Sequence, residues 1–462
     1  MWIQRLTLAM FLSVTVVEFL SKGDKWGRFA YLPHMANYAP EIFGALGAVV
    51  VIVMGVQSRF QNIRPIYWFI CIGILITMLS GVLVNSVDSG PTFAGIRNYL
   101  RAVPWFFVPA VYAFSDTEIR TQMKTLLVVG ALQLPFAAEQ RMKTGGRASG
   151  VEVVTGDWTV GTLLDSGFLS IVLAGMICVV AALFIRKRLT LTQFLIIFGV
   201  LMVPTLINET KGTLIFLPIA LLLVFTYAAN PGKRLKYIFG AVMTITLFIA
   251  IYIPVYDALN SGREYSVPLT EFLTDRKRLE RYFVTNEGVG TKAKEVGRVD
   301  AIVVPVYFLS KQPVDLAFGL GMGNASDSAL GFQFKGKYQA LMNQFLLTAF
   351  SRIVLELGFI GVGLMTLFLW AVYRDSRYIA RSNSDLKGAI AAGWIGVIAI
   401  ISMSMFYKDI TISASVSYLF WYFSGLIAAD RMRVANEARE KRARELLTPR
   451  AAPMRSPWTP AR

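Results

Sequence analysis

Apolar runs of about 18–22 residues recur from one end of this chain to the other, and they constrain its fold more than anything else. Each is long enough, as a helix, to cross about 30 Å of hydrocarbon. A transmembrane β-barrel is excluded, because its strands would alternate polar and apolar residues instead of running apolar. The 462 residues are 55% hydrophobic and 16% charged, against roughly 25% charged in soluble domains. The length suits one integral membrane domain.

The runs predict spans over 3–20, 39–57, 66–85, 102–114, 122–140, 163–184, 192–207, 213–229, 236–255, 347–372, 388–406 and 412–429. The expected fold is therefore all-α, a polytopic bundle of about twelve transmembrane helices. One large external loop, 256–346, separates the ninth from the tenth. Residues 1–429 form the membrane domain, and 430–462 a basic cytoplasmic tail, with a short surface helix and then a disordered Pro-rich end. The first run keeps Glu18 and lacks a small-residue cleavage site, so it reads as an uncleaved first span.

Charge orients the bundle. The formal net charge is +17, and in a membrane protein the basic bias of cytoplasmic loops accounts for such an excess without a nucleic-acid partner. Arg59 and Arg64, Arg120 and Lys124, Arg186 to Arg188, Lys233 to Lys236, and Arg374 to Lys387 all fall on one side if both termini are cytoplasmic. Basic residues in the tail serve as a topology anchor and can touch anionic lipid. Cys71 and Cys178 both sit inside apolar runs and read as packing residues, and the single histidine, His34, leaves no histidine metal cluster.

The opposite, external side holds Ser86 to Arg101, Thr144 to Thr162, the INETKG turn from Ile207 to Gly212, and the long loop. Connections that long are usually functional. Two helices are expected in it, near 268–284 and 292–310, the second amphipathic. Cationic residues gather here: Arg97, Arg101, Arg147, Lys211, Arg298 and Arg352. Arg97 and Arg101 share a helix face, and arginine matches phosphate oxygens bidentately. Such a group suits a lipid diphosphate, whose tail stays in the bilayer; the bland alternative is interfacial snorkelling. Arg352 lies inside an apolar helix, where a charge is costly and functional by default; Glu356, four residues on, is placed to pair with it. Gly319, Gly321 and Gly323 in FGLGMGN permit a tight bend and a close approach to a ligand, without the spacing of a phosphate loop.

These motifs, in this order and on this side, resemble the O-antigen ligase and polysaccharide polymerase superfamily of bacterial inner-membrane glycosyltransferases. RASG at 147–150 is similar to its external Arg-x-x-Gly, TKG at 210–212 to its Ser-Arg-Gly, and ELGFIG at 356–361 to its Glu-x-Gly-x-x-Gly helix start. Arg298 before an apolar helix, then the glycine turn at 319–323, resembles the large-loop pattern. The resemblance implies transfer of a glycan from undecaprenyl diphosphate to an acceptor on the outer face of the inner membrane. Arg147, Lys211 and Arg298 would hold the diphosphate, with Arg352, Arg97 and Arg101 beside them, and Arg298 and Glu356 would be catalytic. No metal or other cofactor is demanded. Besides lipid-linked donor and acceptor and the bilayer, a flippase and a chain-length regulator are the expected partners.

Lys211 stands where the family has arginine, and TGDW replaces an Asn-Pro around 155–158. LLTAFSRIVLELG lacks the histidine that ligases carry there. That moves the expectation from ligase to polymerase and leaves the general base open among Glu356, Asp157, Glu139 and Glu209. A ligase with another acceptor remains an alternative, as does a multi-pass transporter, although transporter sites commonly lie near the bilayer midplane.

Overall fold

The computed structural model describes residues 2–23, 29–58, 60–144, 159–208, 210–229, 232, 234–260, 268–283, 285–287, 294–296, 298–326, 328, 331–339, 348–383 and 385–447. The first six helices are α1 (Trp2–Lys22, with a wide π turn at Ser13–Val17), α2 (Ala39–Ser58), α3 (Pro65–Val84), α4 (Ser89–Leu100), α5 (Pro104–Val111) and α6 (Asp116–Thr144). There follow α7 (Ser166–Ile185), α8 (Leu191–Ile207), α9 (Thr213–Ala228), α10 (Arg234–Asn260), α11 (Leu269–Thr274) and α12 (Arg276–Phe283). A short antiparallel hairpin, β1 (Thr285–Glu287) with β2 (Lys294–Val296), pairs Thr285 with Val296. The chain continues through α13 (Asp300–Leu309), α14 (Pro313–Phe318), α15 (Ala349–Ser382), α16 (Leu386–Ser404) and α17 (Ala414–Leu447).

Local chemistry sets several helix starts. Asp165 accepts from the amides of Gly167 and Phe168 to open α7, and Thr190 with Gln193 forms a capping box at α8. Pro65 and Pro104 occupy first turns, where a missing N–H costs nothing. Among the described residues seven helices, α1, α2, α3, α7, α10, α15 and α16, are long and apolar enough to cross a membrane.

The bundle has a centre and a rim. Of the most apolar window of α7, 89% is buried; of that of α10, 11%. Helix α7 packs against α8, α9 and α16, while α15 bridges α16 and α3, and α17 lies on α5. Hydrocarbon is as apolar as leucine, so close fit holds such helices together. A Cβ on Gly393 of α16 would stand 2.5 Å from the Val179 Cα of α7. One turn on, Gly396 faces the sulfur of Cys178, which is buried there as a packing residue.

Several expected boundaries change. The span over 102–114 is helical only from Pro104 to Val111, ending where Tyr112 turns extended. The expected helix over 268–284 breaks at Asp275 into α11 and α12. That over 292–310 begins only at Asp300, because 294–296 pairs as a strand. Helix α15 outruns its expected end at 372 by ten residues (382 − 372), and α17 runs straight through 430 to Leu447, so no separate surface helix starts there. Residues 448–462 lie outside the described residues.

Candidate active site

The turn from Met405 to Ser413, between α16 and α17, organises this end of the bundle. A helix start leaves amides without partners, and here the turn supplies them: the Ala349 amide donates to the Lys408 carbonyl (3.1 Å) and that of Phe350 to the Met405 carbonyl (2.9 Å). Helix α15 therefore begins on this turn, after a Thr348–Ser351 capping box.

Arg352, one turn into α15, points back at the turn. Its Nε donates to Asp409 Oδ2 at 2.6 Å, and both residues are buried. Asp409 is braced in turn by the Thr411 amide at 3.2 Å. The other limb of the guanidinium reaches the Ser326 hydroxyl, which donates to Glu356 Oε1 at 2.6 Å. The Ala325 amide adds a bond of 3.2 Å to the same oxygen. The ion pair expected between Arg352 and Glu356 is thus replaced: Arg352 pairs with Asp409, 57 residues away (409 − 352), and meets Glu356 through Ser326. The i,i+4 spacing brought both to one helix face, but Asp409 and Ser326 offered each a shorter reach.

Glu356 is fully buried, and its Oε2 has no hydrogen-bond partner among the described residues. The Tyr99 hydroxyl is a second such atom. Burial holds that hydroxyl well above the ordinary tyrosine range, and the charge of Glu356 pushes in the same direction. Tyr99 also lines a cleft at the ends of α15, α16 and α17. Asn98, Thr411 and Ser417 supply more of its polar wall; Met365, Leu369, Phe420 and Trp421, deeper along α15 and α17, supply the apolar wall.

The glycine turn has a structural task. Gly319, Gly321 and Gly323 all take positive φ, and so does Gly358, which breaks α15 immediately after the Glu356 turn. A Cβ on Gly319 would lie 2.4 Å from the Glu356 carbonyl carbon, and one on Gly358 2.3 Å from the Ala317 oxygen. The break frees the Leu355 carbonyl, which accepts from the Leu320 amide at 2.6 Å. The close approach is therefore to the protein's own backbone, and it fixes Glu356 beside Ala325 and Ser326.

The selected cations divide into three groups. Arg298 and the turn that carries Lys211 meet at Tyr407: the Arg298 guanidinium lies 4.5 Å from the centre of its ring and donates to its carbonyl, while Gly212, next to Lys211, lies against the same ring. The Lys211 ammonium itself sits 4.6 Å from the centre of the Phe272 ring on α11. Arg97 and Arg101 both close on Glu41, at 2.7 and 3.1 Å, and Arg101 also donates to the Ile412 carbonyl of the turn (2.6 Å). Arg352 is buried as described. Arg147, Asp157 and Glu209 lie outside the described residues; Glu139 is half-buried on α6.

Sequence reasoning missed the turn itself. Tyr407 holds Arg298, Lys408 pairs with Asp165 at 2.7 Å, and Asp409 holds Arg352. The available signal was a Lys-Asp pair wedged between two apolar runs. Among the described residues no three His, Cys, Asp or Glu side chains gather as a metal-ligand set. The arrangement offers a cationic rim suited to phosphate oxygens, an amphipathic cleft and a buried carboxylate with one oxygen unused. No protein-family model and no curated protein matches the chain.

Proposed function

We propose that this chain is an integral-membrane glycosyltransferase of the polysaccharide-polymerase kind, working on the periplasmic face of a bacterial inner membrane with both termini in the cytoplasm. It transfers a growing glycan from undecaprenyl diphosphate to a lipid-linked repeat unit. One observation carries the reading: Gly212, beside Lys211, and Arg298, from two motifs far apart in sequence that resemble separate family motifs, lie against the single side chain of Tyr407. Their chemistry fits the reaction. The bond between the anomeric carbon and the diphosphate oxygen breaks, and its electron pair leaves with the diphosphate. Fixed cations stabilise that developing charge. The acceptor hydroxyl loses its proton as its oxygen bonds to the anomeric carbon. Glu356, with an unused carboxylate oxygen, is the group assigned to receive it.

The test is Arg298→Ala in a strain making the polymer. The variant remains in the membrane, and long glycan disappears when lipid-linked and finished chains are sized by electrophoresis. Normal chain length would sink the diphosphate clamp. Deletion of the whole protein separates polymerase from ligase, because single repeats left on the carrier mean polymerase, and full-length glycans left there mean ligase.

A further inference from the structure

The far end of α15 carries a second group of arginines. Most basic residues there are engaged by protein. Arg64 and Arg431 share Asp375, Lys387 and Arg433 share Asp430, and Arg186 donates to the carbonyls of Ala380 and Asn383. Arg374 and Arg377 differ. Among the described residues neither meets a carboxylate, and each lies over an aromatic ring: Arg374 at 4.7 Å from the centre of Trp370, Arg377 at 5.9 Å from that of Tyr227. Tyr227 in turn shares a 2.6 Å hydroxyl contact with Tyr373.

Position gives these contacts meaning. Three residues apart, the two arginines lie on neighbouring positions of one helix face. They sit at the end of a membrane-length helix, and Trp370 is 46% exposed although it is a large aromatic. Tryptophan and tyrosine at a helix end mark headgroup depth. A guanidinium stacked on a ring keeps its planar fork of donors for phosphate oxygens. Among the described residues the pair lacks a carboxylate complement, and at headgroup depth a lipid phosphate is the anion that could supply it.

We propose that Trp370, Arg374 and Arg377, backed by the Tyr227–Tyr373 pair, form a binding site for the phosphate of an anionic phospholipid headgroup. The site is separate from the 405–413 turn and does not depend on the glycosyltransferase reading.

The experiment uses the full-length protein in zwitterionic phosphatidylcholine micelles titrated with phosphatidylglycerol. Thermal midpoint and native mass spectrometry of retained lipid are the readouts. Each arginine near an anionic surface contributes about 1 kcal/mol, or roughly fivefold in affinity. Arg374→Gln with Arg377→Gln is expected to weaken retention about 25-fold, with the lipid-free midpoint unchanged. Arg276→Gln with Lys277→Gln, which removes the same two charges from the exposed surface of α12, retains wild-type affinity. Inorganic phosphate alone leaves the midpoint where it was. Undiminished retention in the first variant, or equal loss in the control, overturns the site; stabilisation by inorganic phosphate equal to that by lipid overturns the headgroup as its occupant.

Discussion

Helix α15 carries a buried ionic cluster at each end, and the two are built differently. At one end Asp375 has both oxygens in use: Oδ1 meets Arg64 and Oδ2 accepts from Tyr67 at 2.7 Å, tying α15 to α3. Arg431 of α17 stands 3.8 Å from Oδ1. At the other end Arg352 is held by Asp409 and Ser326, while Glu356 Oε2 and the Tyr99 hydroxyl, which lie close enough to interact, have no other hydrogen-bond partner among the described residues. A buried polar group without a bond is costly. The first cluster clasps three helices. The second lies next to a cleft.

This contrast can be tested from its largest expected effect downward. Arg352→Met leaves Asp409 buried without its cation and removes the bridge to Glu356, so it should cost about 3–5 kcal/mol. A melting midpoint in detergent close to wild type would show that the cluster is not what holds the α15 start. Asp375→Asn should cost less, about 1–3 kcal/mol, because Arg64 and Arg431 are each about a quarter exposed and can turn to water or headgroups. Glycan length should be unaffected by it; shortened chains would break the distinction between a clasp and a site. Glu356→Gln keeps an acceptor for Ala325 and Ser326 and should move stability by only about 0.5–1.5 kcal/mol. Long polymer should nevertheless be lost, and its persistence in gel profiles would remove Glu356 from the chemistry.

The helices were legible wherever a run of apolar residues exceeded a helix's need to be buried. Helices α7, α8 and α16 all begin within three residues of their expected starts. Failures came where backbone geometry decides. Nothing in a hydropathy pattern says that Pro104 and Tyr112 confine α5 to eight residues, or that Lys294–Val296 prefers a strand partner. At the site, the cations were legible because arginine inside or beside an apolar run is conspicuous. Their partners were not. Asp409 lies 57 residues from Arg352, and a carboxylate in a short turn carries no mark of which distant cation it will meet. The i,i+4 rule supplied a nearer partner and chose wrongly, because local spacing cannot weigh a tertiary contact.

The interlock of the glycine turn with the break in α15 also sets a timetable for biosynthesis. Leu320 is made about 35 residues before the Leu355 carbonyl that its amide needs. At 5–20 residues per second, that is a delay of about 2–7 s for each nascent chain. Throughout it, the turn at Gly319–Gly323 lacks the backbone it is shaped to meet. The segment cannot reach its final form until the start of α15 has been made, so a chain stalled before Leu355 leaves the glycine turn without the backbone that completes it.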